Sequence, residues 1–280
     1  MKCVLTVAGL GTRLLPLTKE LPKEMLPIYS TTSKGELTLK PILQVIFESL
    51  FEYNIKDYCF VVGKTKRAVE DHFTPDTDLV KFLKKEKKKE LAKELENYFK
   101  KLDKCNISFT HQPKPIGFGD AIERGEKFVD NDYFLLHAGD DIVISKNNNH
   151  LRRLESCFNK HKADLAFLLE EVSDPSKYGV VNGPKLEKGV IEIKEMQEKP
   201  KKPKSKYAII AIYIFKPIIF KYLKKVKKNT KAENQLAKAF NMAIKENKKI
   251  IGVLLNKNEK RVDIGTPDSY VDVLVSLRRK

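Results

Sequence analysis

Val4-Leu5-Thr6-Val7-Ala8-Gly9-Leu10-Gly11-Thr12-Arg13 is a short apolar run that breaks off into glycines and an arginine. Such a run closed by glycine reads as a buried strand leading into a loop. The pattern recurs along the first half of the chain. Tyr58–Val62, Ile107–His111, Tyr133–His137 and Leu165–Leu169 are further apolar strand candidates. Between them, Ile42, Leu43, Val45, Ile46, Leu50 and Phe51 take helical spacing, as do Arg67–Phe73 and Ala121–Val129. Strands alternating with helices predict an α/β fold: a mostly parallel sheet with right-handed crossovers, flanked by helices. In such sheets ligands bind beyond the carboxyl ends of the strands. Gly9–Arg13, Gln112–Gly119 and Gly139–Asp141 all fall at those ends.

The pattern changes after Asp174. Gly179–Asn182, Gly189–Met196, Tyr207–Phe215 and Ile250–Leu255 read as strands, and Ala232–Lys245 as a helix. Thr266–Arg279 reads as a C-terminal helix with Thr266 as N-cap and Pro267 in the first position. No linker is long enough to divide the chain. The reading is one domain over 1–280, with halves at 1–173 and 174–280.

Composition narrows the function classes. Apolar residues make up 41% of 280, enough for a sizeable core, and no apolar run reaches membrane-spanning length. The start, Met1-Lys2-Cys3-Val4-Leu5, lacks a signal peptide's long apolar stretch. Cys3, Cys59, Cys105 and Cys157 are scattered, with no CxxC, which fits reduced thiols in a cytoplasmic protein. The net charge of +17 raises nucleic acid as a partner. Much of the excess lies in Lys84–Lys104 and Lys221–Lys231. In the first of these, Leu91, Leu95, Tyr98 and Leu102 keep helical spacing. Acidic residues are interleaved and few aromatics accompany the lysines, so the excess reads as a solvated helical face.

Four short motifs carry chemistry. Gly9-Leu10-Gly11-Thr12-Arg13-Leu14-Leu15-Pro16 is followed by Pro22-Lys23-Glu24-Met25-Leu26-Pro27. Glycines after a strand let backbone N–H groups approach a phosphate, and Arg13 and Lys23 supply charge for the same anion. It is not GxGxxG, since Leu14 holds the third glycine's place, and Gly63-Lys64-Thr65 fails as a Walker A loop because Tyr58 stands where glycine is needed. Gln112-Pro113-Lys114-Pro115-Ile116-Gly117-Phe118-Gly119-Asp120-Ala121 is a loop before a helix. Gly139-Asp140-Asp141-Ile142 puts acids at a strand end, which suits Mg²⁺, and Val262-Asp263-Ile264-Gly265 offers another carboxylate. Glu198-Lys199-Pro200 follows a strand.

Taken together and in this order, these motifs closely resemble those of the sugar-1-phosphate nucleotidyltransferases, and Pro-Lys-Glu-Met-Leu-Pro looks most like the branch that joins UTP to glucose-1-phosphate. The resemblance runs along nearly the whole chain. It implies a Rossmann-like sheet, a nucleotide-binding half and a smaller sugar-phosphate-binding half. It implies nucleotide contacts from Ala8, Gly9, Gly11, Thr12, Gln112 and Gly117, with Gln112 on the pyrimidine edge. An amide that donates and accepts at once suits an imide–carbonyl edge. Asp140 and Asp263 become the Mg²⁺ carboxylates, with Asp141 as a supporting neighbour. Gly179, Glu198 and Tyr213 would contact the sugar, and Lys199 its phosphate. Arg13, Lys23 and Lys199 would neutralise charge while a sugar-phosphate oxygen attacks the α-phosphorus in line. The implied partners are UTP or dTTP, a sugar-1-phosphate and a second copy of the chain in a dimer or tetramer, with neither nucleic acid nor membrane.

The sequence also departs from the family pattern. Asp120 stands where a His is common, and Ala211 and Ala232 where Gly is frequent. Glu233-Asn234-Gln235-Leu236 matches loosely, followed by Ala237-Lys238 in place of the usual Thr-Asp. Ser30–Leu39 reads as an insertion, and Asp78–Asp103 as a second insertion or a family-typical excursion that is unusually charged. A thymidylyltransferase, a dual-nucleotide enzyme and a non-catalytic sugar-nucleotide sensor stay open as alternatives.

Overall fold

The computed structural model describes all residues except Thr65, 228–233 and 279–280. Ala232 and Glu233 therefore lie outside the described residues. The opening run forms β1 (Lys2–Val7), with the Gly9 loop directly after it. A hairpin follows, β2 (Pro27–Thr31) and β3 (Leu37–Pro41), then α1 (Ile42–Glu52) and β4 (Asp57–Gly63). Next come α2 (Arg67–His72), α3 (Thr77–Lys85), α4 (Lys89–Leu102) and β5 (Asn106–Gln112). Two short helices, α5 (Phe118–Glu123) and α6 (Glu126–Val129), lead to β6 (Phe134–Ala138) and β7 (Asp141–Ile144). The middle of the chain adds α7 (Asn149–Lys160), β8 (Leu165–Glu171), β9 (Gly179–Asn182) and β10 (Lys185–Glu187). It continues with β11 (Val190–Glu192), β12 (Glu195–Glu198), β13 (Tyr207–Phe215), α8 (Ile218–Lys227) and α9 (Gln235–Lys245). The last elements are β14 (Ile250–Leu254), β15 (Lys260–Asp263) and α10 (Pro267–Arg278).

The central sheet runs β10-β11-β14-β8-β13-β6-β1-β4-β5, with β9 joined to β13 and β12 to β9. β5, β4, β1 and β6 are mutually parallel. β13 is antiparallel to both β6 and β8, and β14 is parallel to β8. The core strands thus share one direction except β13, in agreement with the mostly parallel sheet expected. The runs of β1, β4, β6, β8 and β13 are mostly apolar because both faces are covered, while β5 at the edge is polar and partly exposed. On β1, Cys3, Leu5 and Val7 join one core, while Val4 faces the other, packed with Phe134, Phe215 and Phe240.

Several expected boundaries move. The Lys84–Lys104 stretch is two helices, α3 and α4, turned at Lys87 with φ of 59°. Leu91 is exposed while Ala92, Tyr98 and Leu102 are buried. The 121–129 helix breaks at Gly125, where a Cβ would come within 2.8 Å of Val4 Cγ2. Gly189–Met196 divides into β11 and β12. The Ser30–Leu39 and Asp78–Asp103 segments pack on each other: Ser33 donates its amide to Glu94, and Lys34 pairs with Glu90 at 2.5 Å. A groove of 1640 Å³ runs between α1, these two segments and α7, and none of the candidate nucleotide, sugar or metal residues lines it. Among the described residues no helix is long and apolar enough to cross a membrane.

Candidate active site

Two of the loops expected to act together, Gly9–Arg13 and Gly139–Asp141, meet the Lys23 turn beyond the ends of β1 and β6, while the Gln112 loop lies at the end of β5. Lys23 lies in a single helical turn, Lys23–Met25, between the Gly9 loop and β2. Its Nζ hydrogen-bonds and ion-pairs with Asp140, which follows β6 directly after Gly139. A Cβ on Gly9 would sit 3.6 Å from Lys23 Cε, so the glycine loop lies against that lysine. A Cβ on Gly265 would lie 3.3 Å from both Arg13 Nη1 and Asp263 Oδ1, which brings Arg13 and Asp263 together at the same end. β15 pairs with β7 so that Asp263 stands opposite Asp141. Gly11 has φ of +64°, a left-handed turn open to glycine, and its carbonyl accepts from Thr18 Oγ1 at 2.7 Å. Ala8 is buried beside Gly63, whose Cβ would stand 3.4 Å from the Ala8 carbonyl.

The electrostatics follow from this crowding. Burial works against the Lys23 ammonium, but Asp140, Glu24 and Asp263 outweigh it and hold its pKa above the ordinary lysine value. Burial pushes the Asp263 carboxyl up; Arg261 opposes this, and Asp141 and Asp140 add to it. A carboxylate whose proton affinity is raised by burial and by neighbouring carboxylates gains from a bound cation. Glu24 is 1% exposed and paired with Lys66 at 2.6 Å. Burial raises the Glu24 pKa and lowers that of Lys66, and each partner pulls the other back.

Asp141 is held rather than open. Arg261 grips it in a fork, Nε to Oδ1 at 2.8 Å and Nη2 to Oδ2 at 2.9 Å. The same carboxylate accepts from the Ala211 amide at 2.9 Å, where β13 shifts register. Arg261 also stacks over the Tyr178 ring at 5.3 Å and lies 3.9 Å from Glu170. Burial opposes its charge, but Asp141, Asp263 and Glu170 raise its pKa. Sequence reasoning missed Arg261, Glu170 and the Glu24–Lys66 pair. The available signal was weak: Arg261 stands two residues before Asp263, on the same face of a strand.

The residues expected on the sugar side come from antiparallel strands. Register places Gly179 opposite Glu198, and a Cβ on Gly179 would stand 3.0 Å from Glu198 Oε2. Glycine there leaves the carboxylate its place without a shift. Lys199 has φ of +43° and donates its amide to Tyr178 O at 3.0 Å, immediately before Pro200. A left-handed lysine before proline is a strained backbone, of the kind that collects at working sites. Tyr213 is 3% exposed, its ring packed on Phe167, Phe215 and Phe240. Burial, with Asp141 and Glu198 nearby, raises its phenol pKa.

On the far edge, Gln112 ends β5 and is buried; its Nε2 donates to Gly117 O at 3.0 Å and to Asp120 Oδ2 at 2.9 Å. This differs from the expected reader that donates and accepts at once. Thr12 starts a short 3-10 turn with Arg13.

The chain is similar to known proteins along nearly its whole length. The chain is 40% identical to a Methanocaldococcus jannaschii protein provisionally named UTP–glucose-1-phosphate uridylyltransferase, over 94% of this chain and 88% of that one. It is 34% identical to the UTP–glucose-1-phosphate uridylyltransferase of Mycoplasma genitalium, over 96% and 89%. A crystal structure of UDP-glucose pyrophosphorylase complexed with UDP-glucose superposes with a TM-score of 0.82 at 33% identity, covering 99% of this chain and 98% of that one. Residues 2–280 match the family described as nucleotidyl transferase. With that match along residues 2–280 and relatives 34% and 40% identical over most of both chains, the chain belongs to the nucleotidyl transferase family.

Proposed function

We propose that the chain transfers the uridylyl group of UTP to glucose-1-phosphate, giving UDP-glucose and pyrophosphate. The observation that carries the reading is the meeting of Arg13 and Lys23 with Asp140 and Asp263 at one end of the parallel strands. The names of the M. jannaschii and M. genitalium relatives and the UDP-glucose complex supply the substrate pair.

The nucleophile, a sugar-phosphate oxygen, is already anionic, so no general base is required. Catalysis rests on positioning and charge neutralisation. Lys23 and the N–H groups around Gly9, Gly11 and Thr12 bind the nucleotide phosphates, with Ala8 alongside. Arg13 neutralises the departing pyrophosphate. Gln112 and Gly117 hold the base. Glu198, Gly179 and Tyr213 orient the sugar, and Lys199 holds its phosphate. Arg261 keeps Asp141 fixed, and through Tyr178 links the metal side to the sugar side.

The donor set fits Mg²⁺. Among the described residues no three acidic, His or Cys groups gather around one point. Mg²⁺ usually takes one or two carboxylates and completes its shell with phosphate oxygens and water, so Asp140 and Asp263 suffice. Once bound there it would supply charge neutralisation at the α-phosphate. The reading includes a cytoplasmic homo-oligomer, dimer or tetramer, which light scattering on the purified chain tests. The activity is tested by pyrophosphate release over a grid of UTP, dTTP, CTP, ATP and GTP against several sugar-1-phosphates. UTP with glucose-1-phosphate is expected to lead. A purine nucleotide turning over as fast as UTP would sink the pyrimidine assignment of Gln112.

A further inference from the structure

Gln112 is 5% exposed at the end of β5. A carboxamide nitrogen carries two hydrogens, and here Gly117 O and Asp120 Oδ2 take both. The orientation is chemically fixed. A backbone carbonyl and a carboxylate are both acceptors, so a Gln oxygen turned toward them would be repelled. Asp120 is itself held, 1% exposed and paired with Arg124 Nε at 3.2 Å. The loop between them has little freedom. Gly117 sits at φ of +121°, and Ile116 O accepts from Gln235 Nε2 at 3.2 Å. Gly119 packs so closely that a Cβ would stand 2.8 Å from Gln235 Oε1. What Gln112 has left for a ligand is its oxygen.

We propose that Asp120 sets base specificity: by anchoring the Gln112 amide it makes Gln112 an acceptor-only reader, which selects the imide N3–H of uracil or thymine and rejects cytosine. This deepens the uridylyltransferase reading and rests on it. Uracil and thymine carry a hydrogen on N3, whereas cytosine carries a lone pair there, so cytosine meets the Gln112 oxygen acceptor to acceptor. A thymine methyl group lies on the other side of the ring, and this device does not read it. Asp120 touches no substrate and acts as a positioning residue.

The test is kcat/KM for UTP and for CTP, at saturating glucose-1-phosphate, in the wild type, Asp120→Ala and Asp120→Asn. In Asp120→Ala the amide can turn, and the UTP-to-CTP ratio should fall at least about tenfold, the scale of one buried hydrogen bond mismatched. Asp120→Asn keeps an oxygen in the same place and should hold the ratio near that of the wild type. An equal loss for both nucleotides in Asp120→Ala, with the ratio unchanged, overturns the proposal, because a merely structural Asp120 would act that way. If Asp120→Ala does not fold, calorimetric titration of the wild type decides: CMP should bind at least about tenfold more weakly than UMP, and equal binding overturns the locked amide. Failure of the underlying reading looks different, since the wild type would then release no pyrophosphate from UTP and glucose-1-phosphate.

Discussion

The loops assigned to the nucleotide and the strands assigned to the sugar are built by different means. On the nucleotide side, side chains from separate loops are tied to one another by charge: Lys23 to Asp140, Glu24 to Lys66, Arg261 to Asp141. On the sugar side, backbone register does the placing: Gly179 opposite Glu198, the Lys199 amide on Tyr178 O, Tyr213 among aromatic rings. The difference teaches where each half is vulnerable. Deleting one charge on the nucleotide side leaves its partner stranded. Deleting the Glu198 or Lys199 side chain on the sugar side leaves the frame standing and costs a ligand contact.

The largest effect should come from Asp140→Asn. Turnover should drop on the order of 10³-fold, by analogy with loss of one charge-stabilising group, while circular dichroism stays native. Near-normal turnover at ordinary Mg²⁺ would remove Asp140 from the metal role. Next in size is Glu24→Gln, which strands Lys66 in a pair only 9% and 1% exposed. Urea unfolding should show a loss of about 3 kcal/mol or more, as for other broken buried pairs. Glu198→Gln, its counterpart on the sugar side, should cost less than about 1 kcal/mol and act on the KM for glucose-1-phosphate. Equal destabilisation by both variants would erase the contrast.

A third, smaller effect concerns Lys199. Lys199→Ala should raise the KM for glucose-1-phosphate about tenfold, one charge-assisted bond, and leave the KM for UTP nearly unchanged. Lys201→Ala and Lys202→Ala, exposed neighbours of like charge, are the controls. A general surface attraction would make the three variants alike and would fade with salt.

The smallest effect is acid sensitivity. His150 is 2% exposed, and burial lowers its pKa to about 4 from 6.5. Protons therefore favour the unfolded chain between those values: the stability that neutral His150 contributes is full above pH 6.5 and is lost as the pH falls toward 4. Unfolding free energy should decline by roughly 1 kcal/mol from pH 6.5 to 5.5, and His150→Gln should flatten that part of the slope.

Much of this was legible in the sequence for physical reasons. Strands buried on both faces must be mostly apolar, so β1, β4, β6, β8 and β13 announce themselves. Glycines at their ends mark where a backbone comes close to something, and so the loops around Gly9, Gly117 and Gly139 could be found. What stayed hidden depends on tertiary neighbours. Position 125, where the helix is interrupted, has room only for glycine because Val4 lies against it. The α3–α4 turn at Lys87 lies in a lysine run without Gly or Pro to mark it. Lys66 and Arg261 look like any surface cation until Glu24 and Asp141 are seen beside them. The Gln112 amide is committed by Asp120, a partner eight residues away that the loop has to fold to deliver.

The central claim is a transfer to the sugar phosphate with cleavage between the α- and β-phosphates of UTP. The direct measurement is to incubate the purified chain with Mg²⁺, glucose-1-phosphate and UTP labelled at the α-phosphorus, and to separate the products. The label is predicted to appear in UDP-glucose, with unlabelled pyrophosphate released in equal amount. Label remaining in UTP, or released as UMP without sugar attached, would contradict the account.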